Sequence, residues 1–199
     1  MTNFYKDKQQ IIDWLDLYEV KNYTLVPDEK YGFIVNVNGN VYLSDKKLLS
    51  IPVKFSEVVG SFSCYSNKLT SLEFSPQIIG DDFSCGYNKL ASIEFSPQII
   101  GDDFSCNNNK LTSLEFCPQA VGGSFYCHSN KLTSLEFFHQ TVSGSFLCHG
   151  NTELKDIQKI TDFKLIFLKH KEILINKFSD KLNNNLISDK NKKTAKIKI

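Results

Sequence analysis

The chain has 199 residues, 41% of them apolar, which suits one domain with end segments and a continuous core and does not fit a globally disordered polypeptide. Its net charge of +1 conceals an uneven distribution: −3 over residues 1–45, −3 over 46–153 and +7 over 154–199, with every cation a lysine. Without arginine the chain lacks the side chain that grips phosphate and guanine through two parallel hydrogen bonds, so nucleic-acid recognition is disfavoured from the start.

Residues 1–10 are polar and lack the basic start and apolar core of a secretory leader, and no run approaches 18 apolar residues. The expected setting is the cytoplasm of a bacterial or host cell, with no membrane association. Residues 7–20 carry Ile11, Ile12, Trp14, Leu15, Leu17 and Tyr18 at helical spacing. Residues 33–44, FIVNVNGNVYLS, read as a hairpin turning at Asn38-Gly39, because Asn-Gly accommodates the tight turns that join adjacent strands. Together these segments form an expected N-terminal cap over residues 1–40.

From residue 41 to 153 the chain repeats itself every 21 residues. Phe62, Phe83, Phe104, Phe125 and Phe146 recur in register, as do Cys64, Cys85, Cys106, Cys127 and Cys148, and Asn67, Asn88, Asn109, Asn130 and Asn151. Leu69, Leu90, Leu111 and Leu132 follow, then Leu72, Ile93, Leu114 and Leu135, then Phe74, Phe95, Phe116 and Phe137. The segment at Val41, Leu43, Leu48 and Ile51 lies one period earlier, which predicts about six strands from Val41 to Cys148. Each unit holds two apolar strand positions, an Asn at the bend and two further apolar positions, the leucine-rich-repeat pattern with Phe and Cys in the strand.

Alternate strand residues face opposite sides, so Phe83 and Cys85 are expected inward and Ser84 outward. Parallel strands stack about 4.8 Å apart, so each inward residue must pack against its own counterpart; Phe rings stack offset at that spacing and Cys is a small hydrophobe beside them. The Asn amide donates and accepts at once, satisfying backbone groups left unpaired by the bend. Ser75-Pro76 and Ser96-Pro97 disfavour a helix on the return path, which is expected to be extended. Ile78, Ile79, Ile99 and Ile100 are expected to cover it, and Gly80 and Gly101 to permit the tight approach to the next strand. Beyond the repeats, Thr161 and Asp162 can start a helix carrying Phe163, Ile166, Phe167, Leu174 and Phe178, with LIFL at 165–168 equally readable as a strand. This gives an expected C-terminal cap over 154–182 and a basic flexible tail over 183–199. The fold class is α/β: a strand-dominated leucine-rich-repeat solenoid, a parallel β-sheet horseshoe with helical caps.

The stretches NKLTSLEFSP, VGGSFYC and VNGNVYLSDKKLLSIP resemble the small leucine-rich-repeat proteins of bacteriophages, prophages and bacteria, whose repeats run close to VGGxFxCxxNxLTSLEGxP. The likeness covers residues 7–153 and implies the fold. More distantly, NKLTSL is similar to the repeats of bacterial effectors, and that likeness implies protein binding. The effectors' Leu-Pro pair is Glu-Phe here.

Several residue groups invite a chemical reading. A structural zinc site needs four converging ligands, whereas one Cys per repeat makes a line, so the Cys column reads as packing. Cys117, equivalent to Ser75 and Ser96, reads as a variable return-path residue. Asp81-Asp82 and Asp102-Asp103 read as solvated turn acids, because calcium-binding β-helix repeats are denser in Gly and Asp. His128 and His149 lie one period apart with no carboxylate in matching columns of their repeats, which favours a binding role over acid–base or metal chemistry. Lys190, Lys192, Lys193, Lys196 and Lys198 offer a phosphate backbone only charge, so nucleic acid remains conceivable through the tail alone.

The expected function is non-enzymatic binding of a protein, with no cofactor and no metal. The face proposed for it is the outward side of the strands: Tyr42, Ser63, Ser84, Ser105, Tyr126 and Leu147, flanked by Tyr65, Gly86, Asn107, His128 and His149. The binding residues singled out are Tyr42, Tyr65, Tyr126, His128, Leu147 and His149, since interfaces concentrate aromatic anchors. By analogy of fold with such phage proteins, the expected partner is a host protein, such as a defence enzyme that the solenoid blocks. The alternative is a self-associating structural or assembly component, and an unrecognised enzyme comes third.

Overall fold

The computed structural model describes residues 4–138 and 142–154. The expected C-terminal cap and basic tail therefore lie outside the described residues, apart from Leu154 itself. The chain winds into a strand-dominated β-solenoid of about five turns, with a single α-helix among the described residues.

That helix, α1, spans Lys8–Leu17, shorter than the 7–20 expected. Asp7 starts it, its side chain accepting a hydrogen bond from the Gln10 amide at 3.0 Å. Ile11, Trp14 and Leu15, at i, i+3 and i+4, are the residues it buries, and Trp14 meets Phe55 edge-on at 6.3 Å. Glu19 then turns left-handed and Val20 drops into the core.

Two six-stranded sheets follow, and five successive turns of the solenoid contribute one strand to each. The first sheet holds β3 (Val41–Tyr42), β5 (Phe62–Ser63), β7 (Phe83–Ser84), β9 (Phe104–Ser105), β11 (Phe125–Tyr126) and β12 (Phe146–Leu147), all parallel and paired one period apart. These are the six strands read from the repeat. Their Phe and Cys residues are buried and stack as columns: Phe62 on Phe83 at 5.8 Å, Phe83 on Phe104 at 6.0 Å, then Phe104 against Phe125 edge-on at 4.8 Å.

The second sheet lies on the return path and comprises β1 (Tyr23–Asp28), β2 (Gly32–Val37), β4 (Phe55–Val58), β6 (Ile78–Ile79), β8 (Ile99–Ile100) and β10 (Ala120–Val121). The expected extended path thus forms a ladder of its own. Alternation splits each Ile pair: Ile79 and Ile100 are buried, while Ile78 and Ile99 point outward and do not cover the core.

The hairpin is displaced from its expected place. The antiparallel pair is β1 with β2, and the turn between them is held by the Asp28 side chain, which accepts from the amides of Lys30 and Tyr31. Asn38-Gly39 is instead the corner at which the chain leaves the second sheet for the first. Val41 pairs with Phe62 rather than folding back on β2, because stacking Val41 and Leu43 into the inward columns buries both completely. The non-local stack overrides the local hairpin signal.

Corners obey the same stacking rule. A Cβ on Gly80, Gly101 or Gly122 would collide with the carbonyl oxygen of the residue stacked before it, Val59, Gly80 or Gly101 respectively. At the bends after β5, β7, β9 and β11, Ser66, Tyr87, Asn108 and Ser129 are left-handed, and the next residue is the column Asn. Its Oδ1 accepts from a leucine amide of the preceding turn, as in Leu69 N to Asn88 at 2.9 Å, and its Nδ2 donates to cysteine carbonyls of both turns.

Candidate binding face

Strand pairing lines up the outward residues in the order read from the repeat: Tyr42 beside Ser63, then Ser84, Ser105, Tyr126 and Leu147. Two positions further along each strand run Tyr65, Gly86, Asn107, His128 and His149. The expected face exists as an array, but it divides into two aromatic ends.

At one end Tyr126 and Leu147 are neighbours, and the imidazoles of His128 and His149 stack face to face, with centroids 4.6 Å apart and planes 9° from parallel. Burial lowers the pKa of His128 and the His149 ring lowers it further, which favours the neutral imidazole at His128. His128 Nδ1 is buried without a hydrogen-bond partner. Parallel rings aim their lone pairs side by side, whereas a zinc ion needs nitrogens converging on one point at about 2.0–2.1 Å. The geometry therefore favours contact with a ligand surface over shared metal.

At the other end, Tyr42 is 60% exposed, and Tyr65 packs against Tyr87 at 5.1 Å. Burial raises the Tyr65 hydroxyl pKa, with Tyr87 and Asp45 adding to it. Tyr87, itself half exposed, was not among the residues expected here. The left-handed backbone at Tyr87 and the contact of its ring with Tyr65 break the strand alternation, so alternation did not signal it.

The middle of the face is closed. Asn107 is buried, takes a 2.6 Å hydrogen bond from Ser105 Oγ, and places its own Oδ1 where a Cβ on Gly86 would sit. Tyr42 and Tyr65 thus lie four and three strands from the Tyr126 and His128 strand, about 19 and 14 Å at the strand spacing. Tyr126, His128, Leu147 and His149 form one patch, and Tyr42, Tyr65 and Tyr87 belong to the other end.

The remaining chemical groups fall where packing puts them. All six cysteines are free and buried, and burial pushes the Cys64 thiol up to about 12 and that of Cys148 to about 11. Cys117 sits in the core in a column with Ser75 and Ser96, with its Sγ near the Phe137 carbonyl oxygen at 3.5 Å. Asp82, Asp102 and Asp103 bring carboxylate oxygens within 4.8 Å of one another. Two of these carboxylates are already engaged by backbone, Asp82 accepting from the Asp103 amide and Asp103 from the Ser124 amide. The third, Asp102, has its pKa raised chiefly by Asp103.

Among the described residues no helix is long and apolar enough to cross a membrane. Comparison with protein-family models, curated proteins and solved structures finds no match to this chain.

Proposed function

We propose that this chain is a non-enzymatic, protein-binding module of leucine-rich-repeat type, with α1 and the β1–β2 hairpin as its N-terminal cap and the outward face of the first sheet as its contact surface. One observation carries the reading: the inward columns repeat almost unchanged while the outward columns change from turn to turn and gather Tyr126, His128, Leu147 and His149 into one patch. Inward identity is demanded by self-stacking, whereas solubility alone asks for no such cluster outside. Large rings held on short, hydrogen-bonded strands give contact area with little side-chain ordering left to lose. The phage resemblance extends the proposal to a host protein, such as a defence enzyme, that the solenoid blocks.

The test compares capture from a bacterial lysate by the wild-type chain, by Tyr126→Ala with His149→Ala, and by Ser84→Lys with Ser105→Lys, all with matched melting temperatures. A protein retained by the wild type and lost by both variants supports this face. Retention by both moves the contact surface elsewhere on the molecule.

A further inference from the structure

The turns that lead into the second sheet carry a column of phenylalanines that core packing does not explain. Phe95, Phe116 and Phe137 are 46%, 51% and 43% exposed, although the residues two positions before them, Ile93, Leu114 and Leu135, are buried. Phe95 and Phe116 adopt left-handed backbone, with φ of 67° and 66°. A bulky side chain rarely tolerates that region, and glycine would occupy it without strain. Two successive turns, those of Phe95 and Phe116, therefore hold a strained ring in solvent, beside a sheet whose outward Ile78 and Ile99 are also exposed. Strain kept at a surface position points to a use for the side chain.

The first member of the column shows what the others lack. Phe74 has the same left-handed backbone, yet it is only 6% exposed. The Phe4 ring lies 5.0 Å from it and the Tyr31 ring 5.8 Å. Both covering rings travel with a lysine: Lys6 Nζ lies 5.3 Å from the Phe4 centroid, and Lys30 Nζ lies 4.8 Å from that of Tyr31. The pKa of Lys30 is raised chiefly by Tyr31, with Asp28 and Glu73 adding to it, so the glutamate preceding Phe74 acts on the cation of its cover. The chain thus satisfies its first Glu-Phe step with aromatic rings accompanied by lysines, tied in place where the Tyr5 amide donates to the Pro52 carbonyl at 2.8 Å.

Glu94, Glu115 and Glu136 repeat that charge in the next three turns, all of them exposed. We propose that Glu94-Phe95, Glu115-Phe116 and Glu136-Phe137 form a second docking ladder for an extended segment of another protein in which aromatic residues alternate with lysine or arginine. Three rungs, separated by two steps at the strand spacing, span about 10 Å, the reach of three to four extended residues. The line of carboxylates opposes an anionic lipid surface, and it also opposes a second copy meeting this one ladder to ladder.

The probe is a synthetic peptide, FKYKFK, titrated calorimetrically into the full chain at low ionic strength against its acidic counterpart FEYEFE. The basic peptide is expected to bind at least about tenfold more tightly, with affinity falling as salt is added. Phe95→Gly with Phe116→Gly should weaken it by about tenfold or more while the melting temperature holds or rises, because the substitution relieves backbone strain. Glu94→Gln with Glu115→Gln should weaken binding and flatten its salt dependence, whereas Tyr126→Ala with His149→Ala on the other sheet should leave it unchanged. Equal binding of the two peptides, or binding that survives the double glycine variant, overturns the proposal. Concentration-dependent dimerisation abolished by that variant also overturns it, assigning the ladder to a second copy. So does a photo-cross-link from position 116 to residues 155–199 of the same chain in place of the peptide.

Discussion

Replacing Asn109 by alanine tests the bend that joins the turns. Asn109 Oδ1 accepts from the Leu90 amide at 3.0 Å, and Nδ2 donates to the carbonyls of Cys85 at 3.0 Å, Cys106 at 3.2 Å and Asn107 at 3.2 Å. These losses are unequal. The Cys85 carbonyl keeps Asn88 Nδ2 at 3.1 Å and the Cys106 carbonyl keeps Asn130 Nδ2 at 3.0 Å, whereas the Leu90 amide has no second acceptor. One stranded amide costs about 1–3 kcal/mol and three weakened carbonyls add less, so Asn109→Ala should destabilise by about 2–4 kcal/mol. Removing Asn88 as well leaves the Cys85 carbonyl with neither donor. The double variant should therefore cost about 1 kcal/mol or more beyond the sum of the singles. Urea unfolding measures this, with an unchanged m-value confirming the same transition and exposed Lys110→Ala as the control. An Asn109→Ala variant within about 0.5 kcal/mol of that control, or a strictly additive double, would refute the bridging role.

Phe104→Ala should cost about 3–5 kcal/mol, because it opens a cavity between Phe83 and Phe125 in the middle of the buried column, and the same urea titration reads it. The Cys column sets the alkaline limit. Folded thiols are held protonated up to about 12 at Cys64 and about 11 at Cys148, while unfolded thiols ionise from about 9, so the unfolded state binds fewer protons and stability falls as pH rises through that window. Each such thiol contributes about 1.4 kcal/mol per pH unit, and Cys106→Ala should flatten the measured slope by that amount. The same burial predicts slow thiol labelling of Cys85, Cys106 and Cys127 at neutral pH; labelling at the rate of a free thiol would contradict it.

The inward columns were legible in the sequence because a stack of identical strands forces each inward residue to meet its own kind, and a 21-residue period with Phe, Cys, Asn and Leu in fixed register satisfies that condition. The outward first-sheet columns followed by alternation alone, and pairing puts them there. What stayed hidden depends on backbone that breaks alternation. Counting by twos from Ile93 puts Phe95 inward, yet the left-handed residue turns it out and brings Ser96 into the core in its place. The second sheet was read only as an extended path, because a pair such as Ile78-Ile79 shows no alternation until its neighbours fix which member faces in. Asn38-Gly39 misled for a related reason: turn propensity is local, and the stacking that decided its partner lies a full period away.

Invariance along a column carries different meanings on the two sides of each strand. Phe62 through Phe146 must match because each ring's environment is the next ring, so repetition there reflects packing. Ser71, Ser92, Ser113 and Ser134 also recur, and each Oγ accepts from the amide two residues on, as in Glu94 N to Ser92 at 2.9 Å, so that repetition has a local cause. Outward residues free of both constraints are able to vary, and the sequence Tyr, Ser, Ser, Ser, Tyr, Leu does so. Phe95, Phe116 and Phe137 are outward and unchanged, and stacking within the core does not account for them. If their sameness were only the residue of duplication, glycine at Phe95 and Phe116 would stabilise the chain and take nothing from it. A stabilised variant that has lost its basic–aromatic ligand is the outcome that separates a retained surface from a neutral one.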